Sequence, residues 1–329
     1  MPARSRIRET ALVTGATGFV GANLVRGLVA AGYRVAIIVR PTSNPWRLKG
    51  ILGRLQHLVA DLADPVATAH AVRRAKPTII FHTATASTYG GMSADDRDMV
   101  RANLIATINL IEACAPLPYR CLVNTGSSSE YGPATKPMRE TDLTEPRDGY
   151  AITKCAATHY ASAAGRREKR PIVTLRLFTP FGPWDDPKRL MPTVICSALA
   201  NRPLKLARPE IGRDFVYIDD VVTAYLAAIP RAKMLTGEIF NIGSGRQHTL
   251  ADVARAVIAE TKSKSKPIWG VTPASPQDNR FWQADIRKAK RFLKWQPKTS
   301  FQEGVRLTTA WLGEHRQYYE RAYASMQTT

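Results

Sequence analysis

A tyrosine and a lysine four residues apart, in Tyr150-Ala151-Ile152-Thr153-Lys154, are the pair in this chain best suited to moving a proton. On a helix that spacing puts both side chains on one face, a single turn apart. A free phenol has a pKa of about 10 and is a poor base at neutral pH. A neighbouring ammonium stabilises the phenolate and lowers that pKa, which fits Tyr150 for proton exchange with a sugar hydroxyl or carbonyl. Lys154 is also placed to hold a nicotinamide ribose. No other Tyr-x-x-x-Lys occurs in the sequence. Shortly before it runs Asn124-Thr125-Gly126-Ser127-Ser128-Ser129-Glu130-Tyr131-Gly132. A serine run alone is turn chemistry. At the carboxyl end of a strand, beside Tyr150, its hydroxyls can hydrogen-bond the reacting oxygen.

A second constellation lies near the N-terminus, in Thr14-Gly15-Ala16-Thr17-Gly18-Phe19-Val20-Gly21. Glycines at 15, 18 and 21 permit a tight turn, close backbone approach to a pyrophosphate, and close helix–strand contact. The helix that follows offers free N–H groups and a partial positive charge to the anion. A site for NAD normally carries Asp or Glu at the end of the second strand, on the adenine ribose 2′-hydroxyl. Here that strand ends Val39-Arg40-Pro41-Thr42-Ser43, and no acidic residue lies between Glu9 and Asp61. Arg40 offers a guanidinium where a 2′-phosphate would lie, with Ser43 and Arg47 as helpers. The expected cofactor is NADP(H), with NAD as the alternative if Arg40 is an ordinary surface residue.

The elements that must position these groups alternate. Apolar, β-branched runs at 11–14, 34–39, 55–59, 78–82, 120–124 and 172–177 read as strands. Helical patterns fall between them at 20–31, 65–75, 97–115 and 150–164. Such alternation predicts an α/β fold, a doubly wound parallel (Rossmann) sheet covered on both faces. Residues 1–177 are expected to form the NADP-binding domain. Residues 178–329, richer in Pro and Gly and with helical patterns at 194–200, 221–229 and 250–260, form a smaller substrate-binding part interleaved with it.

Composition narrows the class. With 329 residues, 44% apolar and 22% charged, the chain reads as globular, and no apolar run approaches membrane-spanning length. The basic N-terminus lacks the apolar stretch of a signal peptide, so a cytoplasmic location is expected. Cys114, Cys121, Cys155 and Cys196 are scattered without ligand spacing, so no metal site or disulfide framework is expected. The net charge of +20 favours anionic partners, and no nucleic-acid-binding signature accompanies it.

Taken in order, these motifs resemble the extended short-chain dehydrogenase/reductases, the NAD(P)-dependent nucleotide-sugar epimerases, dehydratases and reductases. The resemblance spans nearly the whole chain. It rests on the glycine loop, Asp61-Leu62, Phe81-His82-Thr83-Ala84, the helix begun by Asn103, Tyr150 to Lys154, Arg213 to Asp220, Phe240 to Gly243, and Trp295-Gln296-Pro297. It implies that Tyr150 is the acid/base, Lys154 its partner, and Ser127 the group polarising the substrate oxygen. Gly15, Thr17, Gly18, Phe19, Val20, Gly21, Arg40, Ser43, Asp61, Leu62, Thr83 and Ala84 would hold the cofactor, together with Tyr150 and Lys154. Ser128, Thr179, Arg213 and Arg280 would face the substrate, a nucleotide-diphosphate sugar. Members of the family are often homodimers through the helices holding Asn103 and Tyr150.

Departures from the pattern separate the activities. Sugar 4,6-dehydratases of this family carry a glutamate two residues before the tyrosine of the Glu130-Tyr131-Gly132 element; here that position is Ser129. Asn is usual where Thr179 stands, and the phosphate-binding arginine expected near residue 275 is Ser275. The serine-rich exit looks most like that of the GDP-4-keto-6-deoxymannose reductases. The expected activity is therefore an NADPH-dependent 4-ketoreductase of a nucleotide 4-keto-6-deoxysugar, with hydride to C4 and a proton from Tyr150. A 4-epimerase with tightly bound NAD(P) is the alternative. A non-catalytic NADP-binding or nucleic-acid-binding protein is the third reading, opposed by intact Ser127, Tyr150 and Lys154.

Overall fold

The computed structural model describes residues 9–87, 94–272 and 278–319. The basic stretch before residue 9 and Ser275 lie outside them. Six strands form where the apolar runs predict: β1 (Thr10–Thr14), β2 (Arg34–Val39), β3 (Leu55–Val59), β4 (Ile79–His82), β5 (Cys121–Ser127) and β6 (Ile172–Leu177). Further strands follow: β7 (Thr179–Phe181), β8 (Leu204–Lys205), β9 (Gly212–Arg213), β10 (Phe215–Tyr217), β11 (Ile239–Ile242), β12 (His248–Thr249) and β13 (Pro267–Ile268). The central sheet has the order β11-β6-β5-β4-β1-β2-β3, with every pair parallel. β4 and β6 are buried at every residue, the polar His82, Thr174 and Arg176 included, as strands covered on both faces are. Between β1 and β4 the chain reverses its direction of travel across the sheet, which opens a crevice beyond their carboxyl ends.

One face of the sheet is covered by α2 (Pro65–Ala75), α4 (Ala106–Cys114) and α5 (Gly149–Glu168). The other carries α1 (Phe19–Ala30) and α7 (Ile218–Ala228), and the larger apolar core extends from there to α6 (Leu190–Leu199), α8 (Leu250–Thr261) and α9 (Phe301–Glu314). Local signals set several boundaries. The Asp64 carboxylate accepts from the N–H groups of Val66 and Ala67, with Pro65 in the first turn, and so starts α2. Asp148 likewise caps α5 through Ala151 N–H. The helix expected at 97–115 is a composite: α3 (Asp96–Met99) passes into a π-helical stretch, Val100–Ile105, before α4. Such turns displace the backbone of one face and recur at functional sites.

β11 comes from the C-terminal part and completes the sheet beside β6, so the sheet draws on both sides of residue 177. Two buried carboxylates tie that part together. Asp214 accepts from the N–H groups of Ser244 (2.6 Å), Gly245 (3.0 Å) and Ala284 (2.9 Å) and from the Ser244 hydroxyl. Burial raises its pKa to about 6 against the pull of those donors. Asp220 accepts from Lys298 and Thr299 N–H, while its carbonyl takes the Trp295 indole at 3.0 Å, which anchors the chain entering α9.

Candidate active site

The glycine loop lies at the β1/β4 crevice. Gly15 has φ +66°, and a Cβ there would stand 2.4 Å from the Ala84 nitrogen, so only glycine fits. A Cβ on Gly21 would meet the Gly15 carbonyl at 2.2 Å and the Thr83 hydroxyl at 2.7 Å. Gly18 starts α1 without a side-chain cap, and the first turn carries no acidic residue. The open helix end and the tight turn are the features a dinucleotide pyrophosphate requires, and the residues present fit that group. The Thr83 hydroxyl donates to the Thr14 carbonyl at 2.6 Å, fixing the β4 exit against the loop. Leu62 is buried and gives its carbonyl to Asn109 at 2.9 Å, whereas Asp61 is exposed near Arg101.

Arg40 stands exposed at the end of β2, its N–H on the Ser43 hydroxyl (3.0 Å) and its carbonyl taking the Ser43 N–H. Arg47 does not join them. It is 9% exposed, and its guanidinium donates to the Trp184 carbonyl (2.7 Å) and the Thr17 carbonyl (3.3 Å) while pairing with Asp186. The preceding Trp46 packs on Trp184, Tyr318 and Tyr319, so the short turn holding Arg47 faces the protein interior. The expectation that Arg47 assists at a 2′-phosphate is corrected: it braces the phosphate loop from behind.

Tyr150 and Lys154 sit one turn apart at the start of α5, and β5 delivers Ser127 beside them. Burial pushes the Tyr150 phenol up; the Ser127 hydroxyl, the Arg189 charge and the Thr85 hydroxyl pull it down, against Glu130. Lys154 is 3% exposed, and burial lowers its pKa to about 8, with Glu130 opposing. Its ammonium donates to the Thr125 carbonyl, which supplies an acceptor that a buried cation requires. His82, at the end of β4, joins Thr14 (2.7 Å) to Thr107 (2.9 Å), and burial drives its pKa to about 3, with the Lys154 charge adding to the shift. His82 is therefore a neutral strut.

Two neighbours of this centre were given no site role by the sequence: Asn103, marked there only as the start of a helix, and Arg189. Asn103, in the π-helical stretch, accepts from Ala86 N–H (2.8 Å) and Thr85 (3.0 Å) and donates to Thr153 (2.9 Å), tying α5 to the β4 exit. Arg189 pairs with the buried Asp185 at 3.1 Å and lies 5.6 Å over the Phe19 ring. It thus brings a charge from the C-terminal part onto the phosphate loop. A sequence shows no such convergence, because Phe19, Tyr150 and Arg189 lie on three separate segments.

On the substrate side, Ser128 accepts from the Trp282 indole at 3.0 Å, and Trp282 packs with Tyr131, Met138 and Phe178. Thr179 begins β7 with its N–H on the Asp214 carbonyl. Arg213 is held by Asp278 at 2.7 Å, its guanidinium 5.8 Å from the Trp282 ring. Arg280 is exposed and gives its carbonyl to Gln247 (2.7 Å), beside Gly212.

Residues 11–243 match the NAD dependent epimerase/dehydratase family. A dTDP-glucose 4,6-dehydratase of Xanthomonas campestris pv. campestris is 26% identical over 92% of each chain. UDP-glucuronate 4-epimerase 4 of Arabidopsis thaliana is 28% identical over 92% of this chain and 75% of its own. Among solved structures, a UDP-glucuronic acid 4-epimerase from Bacillus cereus, in complex with UDP-glucuronic acid and NAD, superposes with a TM-score of 0.83. It is 26% identical and covers 93% of this chain and 99% of its own. Glycine loop, parallel sheet and family match agree: the chain is a member of the NAD-dependent epimerase/dehydratase family of enzymes.

Proposed function

We propose that the chain reduces a nucleotide-activated 4-keto-6-deoxysugar at C4 with NADPH. The observation that carries this reading is Arg40, exposed at the end of β2 with the Ser43 hydroxyl on its backbone and no carboxylate in the sequence from 10 to 60. A 2′-phosphate there would meet a guanidinium instead of a repelling acid. Dissociable NADPH suits a net reduction. Bound at the glycine loop, it would supply the two electrons. The protein's own part is the proton. Tyr150 would deliver it to the sugar O4, with the Ser127 hydroxyl orienting that oxygen. Lys154 would exchange the Thr125 carbonyl for the nicotinamide ribose, and Arg213 would meet the substrate diphosphate.

Dehydration lacks a base in this arrangement. Ser129 occupies the position where dehydratases of the family carry glutamate, and its hydroxyl lies 2.5 Å from that of Ser127. Glu130, the one nearby acid in the segment, is fully buried on Arg176. The relatives favour a second reading. Two of those named above are 4-epimerases of UDP-glucuronate, one with NAD bound, and the same Ser127, Tyr150 and Lys154 would serve a 4-epimerase. In either reading a homodimer would cover Val100, Ile105 and Ile152, which stand 41, 36 and 53% exposed on the helices holding Asn103 and Tyr150. The deciding experiment offers NADPH with a panel of nucleotide 4-keto-6-deoxysugars. Stoichiometric NADPH oxidation supports the reductase. Epimer formation from a nucleotide sugar without net cofactor consumption overturns it in favour of the epimerase.

A further inference from the structure

A cleft of about 360 Å³ lies between the segment after residue 135, the Ser244–Arg246 turn and the chain from Gln283 to Arg287. It shares no residue with the positions assigned above to cofactor, substrate or proton transfer. Trp282 and Met138, which pack toward Ser128 and Phe178, are in neither wall. Four cations line it, Lys136, Arg139, Arg246 and Arg287, against the single carboxylate of Asp285.

The walls are built rather than incidental. Asp285, only 11% exposed, grips Arg287 through both carboxylate oxygens and pairs with Arg139 at 3.4 Å, so one acid fixes two guanidinium groups in place. The floor is rigid as well. Asp214 pins Ser244, Gly245 and Ala284 from beneath, and the Gln283 amide closes on the Gly245 carbonyl at 2.7 Å. Gly245 has φ +73°, with Ile286 3.3 Å from where a side chain would begin. Lys136 and Arg246 are exposed and, among the described residues, form no ion pair with a carboxylate. Two guanidinium groups gathered on Asp285 and the two further charges of Lys136 and Arg246 converge from three chain segments on this space.

We propose that this cleft is a second anion site, separate from the catalytic crevice, that takes a phosphorylated small molecule. The Arg246 guanidinium can match phosphate oxygens in pairs, and the excess of positive charge favours a dianion or trianion over a monoanion. The space, about 360 Å³, suits a compact ligand better than a nucleic-acid backbone.

The test titrates inorganic pyrophosphate calorimetrically into the full chain saturated with NADP, so that the glycine loop is filled. Lys136→Gln with Arg246→Gln should weaken one class of pyrophosphate sites by about tenfold or more, with turnover unchanged. Arg213→Gln should leave that class intact. A double variant that binds pyrophosphate as the wild type does would overturn the assignment. So would a short duplex DNA that binds through Lys136 and Arg246 and is not displaced by pyrophosphate. Because the readout is binding with cofactor present, failure of the reductase reading would leave this result standing, and the reverse also holds.

Discussion

The carboxylate of Glu130 lies 2.7 Å from the guanidinium Nε of Arg176, and neither side chain is more than 1% exposed. The same carboxylate accepts from Ser127 N–H (2.7 Å) and from the Thr158 hydroxyl (2.9 Å), so it supports the backbone that presents Ser127. The only acid in the serine-rich exit is thus a strut beneath the candidate active site.

Glu130→Gln keeps the shape but leaves the Arg176 charge buried without its partner. Removing one half of a buried pair costs on the order of 3–5 kcal/mol. Urea unfolding should show a loss of that size, with the remaining folded protein still binding cofactor. A midpoint equal to wild type would mean that the pair contributes nothing to the fold.

On the proposed mechanism Tyr150→Phe removes the proton donor and little else, since the ring stays and Lys154 keeps its bond to Thr125. Turnover should fall by roughly 10²–10⁴-fold, the usual worth of a positioned acid or base. The dissociation constant for NADPH, followed by fluorescence, should change less than about threefold. Ser127→Ala should act in the same direction, because the hydroxyl opposes the rise that burial imposes on the phenol. Wild-type rates in Tyr150→Phe would remove Tyr150 from the mechanism.

Lys154 predicts a pH dependence. Its folded pKa of about 8 lies below the ordinary lysine value of 10.5, chiefly through burial. Between those values the unfolded chain binds more protons than the folded one, so stability rises with pH across that window. Below about pH 8 the full cost of burying the charge is present; above about 10.5 it is gone. The difference is roughly 3 kcal/mol at 1.36 kcal/mol per pKa unit. Lys154→Met should be more stable than wild type at pH 7, and the gap should narrow as pH rises toward 10. Parallel stability curves for the two proteins would contradict the assignment.

The six strands, the glycine loop and the Tyr150–Lys154 pair were legible because each is written in local spacing. The strands are short runs rich in apolar and β-branched residues, and Gly15 and Gly21 stand where no Cβ fits. Contacts made across the fold were not legible. Glu130 and Arg176 are 46 positions apart, and Arg189 reaches Phe19 from the C-terminal part. The π-helical stretch at Asn103 has no residue signature, and the bonds Asn103 makes there reach Ala86 and Thr153 on other segments. Arg47 shows the limit most plainly. Its type and proximity to Arg40 suggest a phosphate ligand, and only the packing of Trp46 on Trp184 and Tyr318 turns it inward.

Arg40 and Arg47 therefore make opposite predictions from the same residue type. Arg40→Ala should weaken NADPH binding by about tenfold or more, by removing a charge-assisted contact, and leave NADH nearly unaffected. Its stability should stay within about 0.5 kcal/mol of wild type, because the side chain is exposed. Arg47→Met should do the reverse. It leaves the carbonyls of Trp184 and Thr17 without their donors and Asp186 without its cation, at a cost of about 2–4 kcal/mol. Both cofactors should then weaken together, since Thr17 belongs to the loop that either one uses, and the NADPH-to-NADH ratio should hold. The measurement is that ratio, taken by equilibrium binding on both variants alongside their unfolding curves. A ratio that collapses in Arg47→Met would place Arg47 at the 2′-phosphate after all, and one that holds in Arg40→Ala would remove the basis for assigning NADPH.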